Sequence, residues 1–151
     1  MIDDKLSWNL HVENLLKKLN QRMYFLRKLR SFNVDKSILK IFYISAIQSI
    51  ITFGITCYGC GLSKSLVNMI DRVIKKCSKI ISSELPFFND LCDNAVLKKA
   101  SNILKDPTHP LHQEYERSGR SGRLISKRSR TERYKNAFIP FSTRLLQSLK
   151  K

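Results

Sequence analysis

The sequence predicts an all-α fold, a small bundle of about four helices followed by a basic, partly disordered C-terminal tail. Three observations carry this. Apolar residues recur at three- and four-residue steps through four separate segments, the spacing that gathers them on one face of a helix. Only 5 Gly and 4 Pro occur in 151 residues, too few for a chain built on many tight turns. Hydrophobic residues make up 42% of the chain, enough for a core and too many for disorder throughout. Composition divides the chain into a helical bundle, 1–104, and a basic tail, 105–151, closed by a short helix near residues 141–149.

The first helix is expected from near Asn9 to about Arg30. Val12, Leu15, Leu16, Leu19, Met23 and Leu26 fall on one face, with Glu13, Lys17, Gln21 and Lys28 opposite. Ser31-Phe32-Asn33 breaks the pattern. Asp35 suits the N-cap of a second helix, because its carboxylate can accept the orphan amides of the first turn. From Ile38 to Phe53 that helix is apolar on nearly every side, which places it at the centre of the bundle. No charge occurs between Ile41 and Ser63, so a single membrane span through residues 41–62 is the rival reading, about 20 apolar residues being enough to cross a bilayer. Ser45, Gln48, Ser49, Thr52 and Thr56 argue against it, as do basic residues on both flanks.

Gly54, Gly59 and Gly61 end this segment. Ser63 can cap a third helix running to about Ile81, with Leu66, Ile70, Val73, Cys77 and Ile80 on one side. Lys64, Arg72, Lys75, Lys76 and Lys79 line the other. Pro86 forces a break, since its ring blocks an interior helical hydrogen bond. A fourth helix fits residues 89–104, with Leu91, Ala95, Val96, Ala100, Ile103 and Leu104 inward, and Asp106-Pro107 stops it.

Charge defines the partner class. The chain holds 28 Lys+Arg against 12 Asp+Glu, a formal net charge of +16. Such an excess repels itself unless a polyanion is near, which points to RNA or DNA backbone, bound without sequence preference. Beyond the stripe of the third helix, Arg117, Arg120, Arg123, Lys127, Arg128, Arg130 and Arg133 crowd a segment whose one acid is Glu132. Arginine suits phosphate because its planar fork donates two parallel hydrogen bonds. Tyr115 and Tyr134 flank the run and could stack on bases, although tyrosines so placed more often anchor a loop.

No catalytic set, cofactor motif or metal site emerges. Cys57-Tyr58-Gly59-Cys60 is a lone CxxC, and Cys77 and Cys92 fall on separate helices, whereas zinc needs four ligands. His109 and His112 follow a proline break. His11 and Glu13 form an HxE without the distant second histidine of an iron site. Asp3 and Asp4 are adjacent at a helix start and point apart, so a capping or solvated role is expected of them rather than a paired-carboxylate metal site. The acidic N-terminus lacks the apolar core of a signal peptide, and sparse cysteines suit a reducing compartment, nuclear or cytoplasmic, with no membrane partner.

Several segments are similar to a known family. Ile2-Asp3-Asp4-Lys5-Leu6-Ser7-Trp8 with His11, then Tyr24-Phe25-Leu26-Arg27-Lys28-Leu29-Arg30, Phe42-Tyr43 and Ile50 through Gly59, resemble the region after the polymerase palm in non-LTR (LINE-type) retrotransposon reverse transcriptases. His109-Pro110-Leu111-His112, Ser118-Gly119-Arg120 and Arg130 through Pro140 look like the tail of that region. Tyr58 stands where tryptophan is usual, and Ser121-Gly122 interrupts an arginine pair. The resemblance implies a thumb-like bundle able to hold a duplex, with the catalytic aspartates of the palm upstream and absent here. The same helical block is similar to the N-terminal domain of AlkB-homologue tRNA-modifying proteins, which implies a protein- or RNA-interaction module.

Overall fold

In the computed structural model, residues 7–116, 118–119 and 122–149 are described; the chain is 72% helical, with no strand among the described residues. Asp3 and Asp4, with the rest of the leading patch up to Leu6, lie outside them, as do Arg117 and Arg120. The chain packs as two units. One comprises the residues up to Phe53 with Leu62–Leu91, the other Gly54–Gly61 with the chain from Cys92 onward. This division by packing falls inside the fourth long helix, earlier than the composition shift at 104/105.

In the first unit, α1 (Asn9–Ser31) buries Val12, Leu15, Leu19, Met23 and Leu26 at steps of three and four. It ends where Asn33 takes φ 55°, a left-handed conformation that asparagine tolerates better than most residues. Asp35 caps α2 (Lys36–Phe42), accepting the Ser37 amide at 2.7 Å. The rod continues through a π-helical stretch, Tyr43–Gln48, into α3 (Ser49–Thr52).

This rod is not central to the bundle. It buries Leu39, Tyr43, Ile47 and Ile51, one residue every fourth, against neighbours that include α1. Its other side leaves Ile38, Ile41, Ile44 and Phe53 exposed, Phe53 at 83%. An all-round apolar helix in so small a unit covers only the face that meets neighbours. Lys36–Gly61 is long and apolar enough to cross a membrane, its most apolar 18 residues having a mean hydropathy of 1.7. The hydroxyls that argue against a span carry little weight: Ser45 donates to the Ile41 carbonyl at 2.9 Å, Ser49 to Ser45, and Thr52 to Gln48 at 3.1 Å. Such back-bonding satisfies a hydroxyl in any solvent. The stronger obstacle is Gly54, whose φ of 67° interrupts the rod.

The Tyr43 hydroxyl is buried and has no hydrogen-bond partner, and burial raises its pKa. An orphan hydroxyl costs desolvation without return. Tyr43→Phe is therefore expected to stabilise the protein by about 1 kcal/mol, read as a higher midpoint in urea unfolding.

Ser63 caps α5 (Lys64–Ile81), accepting the Leu66 amide at 3.4 Å, and α5 packs along α1. Ser82 at φ 57° turns the chain out of the helix. Helix α6 (Phe88–Lys105) begins on a fully buried Phe88. The amide of Phe88 donates to Asp71 of α5 at 2.9 Å, so a side chain 17 residues upstream caps this helix.

In the second unit, α4 (Ile55–Tyr58) and the 3₁₀ turn Gly59–Gly61 join the later part of α6. The tail carries a 3₁₀ turn, His112–Glu114, then α7 (Glu132–Lys135) and α8 (Phe138–Ser148). Ala100, Ile103 and Tyr115 form a core on which Leu104, Leu124, Phe138, Ile139 and Leu146 pack. The closing helix starts three residues before the expected 141, because Pro140 falls in its first turn, where a missing N–H costs nothing.

Candidate nucleic-acid interface

The two faces of α5 determine what its surface can do. Ile70, Val73, Ile74, Cys77 and Ile81 are buried. At 100° per residue the predicted cations Lys64, Arg72, Lys75, Lys76 and Lys79 fall within an arc of about 120° on the opposite side. All five are exposed. They extend over about 22 Å of helix axis, a length of duplex that carries roughly a dozen phosphates. Among the described residues none of the five forms an ion pair, so their charge is not spent within the unit. Asp71 borders the arc, and its carboxylate is engaged by the Phe88 amide.

An aromatic ring completes this surface. The Lys75 ammonium lies 5.5 Å from the centre of the Phe87 ring, and Phe87 is 43% exposed. Between them opens a cleft of about 290 Å³, lined by Ile74, Lys75, Ser78, Glu84, Leu85 and Phe87. A cation beside an open ring offers a phosphate contact and a stacking platform together. Sequence reasoning missed Phe87. The signal was the adjacent pair Phe87-Phe88 after Pro86, of which only one ring can turn into the core.

The tail basic residues belong to the second unit. Arg123, Arg128, Arg130 and Arg133 are exposed. Lys127 departs from the expected phosphate clamp. Its ammonium pairs with Glu114 at 2.8 Å and Glu116 at 3.4 Å, two carboxylates the run of arginines hid from view. Tyr115 is no stacking platform either: it is 7% exposed, with its hydroxyl 2.7 Å from Ser142 Oγ. The turn His112–Glu114 folds it onto Ile103. Tyr134 stays 45% exposed.

The remaining polar motifs serve local structure. His11 packs edge-on against Trp8 at 5.8 Å, and burial lowers its pKa. Glu13 is exposed, about 200° further round α1. His109 accepts the Leu111 amide at 3.1 Å within a turn. Among the described residues no three of His, Cys, Asp and Glu are grouped to hold a metal.

Fold and surface together define an all-α module with a cationic helix face. Residues 8–49, spanning α1, α2 and the π-helical stretch, match the family described as alkylated DNA repair protein alkB homolog 8, N-terminal. No curated protein and no solved structure matches the chain. The family match ends before α5 begins.

Proposed function

We propose that this chain is a non-catalytic binding module that holds RNA or DNA backbone on the exposed face of α5, built on a helical frame similar to the AlkB-homologue N-terminal region. One observation carries the reading: five cations share one arc of α5 without an ion-pair partner among the described residues. Contacts to phosphate ignore base identity, so binding is non-specific, and exposed arginines of the tail add to it. The module is not an enzyme, needs no cofactor, and works in the nucleus or cytoplasm away from membranes.

A second reading, a thumb-like remnant of a LINE-type reverse transcriptase, rests on the order of its three sequence patches alone. Both readings share the same physical act of gripping a polyanion.

Fluorescence anisotropy with a labelled duplex of about 20 base pairs tests it. Five phosphate contacts release counterions with a slope near −4.5 in log–log form, so affinity is expected to fall about 500-fold between 50 and 200 mM salt. Salt-independent binding, or none at 50 mM, would overturn the reading.

A further inference from the structure

We propose that Cys60 and Cys92 form a site of reversible disulfide formation, closed by a peroxide, that ties the Gly59–Gly61 turn to α6. Their sulfurs lie 3.8 Å apart, both thiols are free, and both belong to the second unit. A bonded pair sits about 2 Å apart, so the sulfurs have under about 2 Å to travel. A separation of 32 positions hides this pairing in the sequence, where spacing offers Cys57 as the partner instead. Cys57 is exposed and makes no thiol contact among the described residues. Cys77 is buried in the first unit, and burial pushes its thiol up to about 11.

The two thiols are unequal, which assigns their roles. Cys60 is half-buried, and the hydrogen bond it shares with the Cys92 thiol holds its pKa below the ordinary value of 9.0; Arg144 adds to this, while burial and Asp93 oppose it. Cys92 is 3% exposed, and that same bond and its burial push its own thiol up. Cys60 is therefore the sulfur that meets an oxidant, and Cys92 the one that resolves the product.

In the first step the Cys60 thiolate attacks one oxygen of hydrogen peroxide, the O–O bond breaks, and sulfenic acid forms as hydroxide takes up the thiol proton to become water. The Cys92 sulfur then attacks the Cys60 sulfur, the S–O bond breaks, and the departing hydroxide leaves as water with the Cys92 proton. Two thiols are oxidised by two electrons and one peroxide is reduced to two waters. A dithiol reductant reverses the change.

The test needs no variant to begin. Reduced full-length protein is treated with a small excess of hydrogen peroxide, then weighed intact and digested without reductant. The expected result is a loss of about two mass units, a linked peptide pair containing Cys60 and Cys92, and full reversal by dithiothreitol. Cys60→Ser and Cys92→Ser should each abolish the link, whereas Cys57→Ser should leave it intact. A Cys57–Cys60 link, dimers alone, stable oxygen addition at Cys60 without a link, or an unchanged mass would each overturn the proposal.

Discussion

Replacing Lys64, Arg72, Lys75, Lys76 and Lys79 together by glutamine is expected to weaken duplex binding by about two to three orders of magnitude at about 50 mM salt and to flatten its salt dependence. Each cation neutralises one phosphate, and the counterions thereby released supply most of the affinity of a non-specific complex. Glutamine has a helix propensity close to that of the lysines and arginine it replaces. All five positions are exposed, where substitutions usually change stability by under about 0.5 kcal/mol each. Within the folded chain the substitutions remove the approach of the Lys75 ammonium to the Phe87 ring, worth about 0.5–1 kcal/mol. Binding should therefore collapse while the thermal midpoint, read by circular dichroism, drops by only a few degrees. Retained affinity in a folded variant would move the interface elsewhere, with the tail arginines next in line.

The neighbouring phenylalanines Phe87 and Phe88 should respond in opposite ways. Phe88 is fully buried at the start of α6, and its amide is held by Asp71. Its replacement by alanine removes a packed ring and leaves a cavity, at a cost of about 3–5 kcal/mol. That is a large part of the stability of a domain this size, so Phe88→Ala should shift urea unfolding strongly or leave the chain unfolded. Phe87 faces the cleft and is 43% exposed. Phe87→Ala should leave the midpoint nearly unchanged. It should weaken single-stranded oligonucleotide binding by roughly 5- to 150-fold, the range that one stacked base supplies. Equal destabilisation by the two variants would show that Phe87 has a packing role instead.

Local chemistry was legible in the sequence and long-range pairing was not. The two faces of α5 follow from periodicity alone, since Ile70, Val73 and Cys77 recur at helical steps and the lysines fall between them. The caps Asp35 and Ser63 follow from residue type at a break, because each bonds an amide two or three residues on. The rod from Lys36 to Thr52 was legible as a helix but not as a one-sided one. Periodicity shows that Ile38, Ile41 and Ile44 are apolar; only packing shows that they stay exposed. Three features of the sites depend on contacts across 13 to 32 residues: Asp71 on the Phe88 amide, Lys127 on Glu114, and Cys60 against Cys92. No local pattern encodes them. Of the two roles the sequence left open for Tyr115, stacking or anchoring, packing selects the anchor.

The location of the grip is tested most directly by lysine reactivity. The protein would be treated with an amine-acylating reagent, with and without a saturating duplex, and modification followed at each lysine by mass spectrometry. Lys64, Lys75, Lys76 and Lys79 are expected to be slowed several-fold by the duplex, with Lys17 on α1 reacting at its free rate. Unchanged reactivity at those four lysines in a demonstrably bound sample, or slowing confined to other lysines, would contradict a polyanion seated on α5.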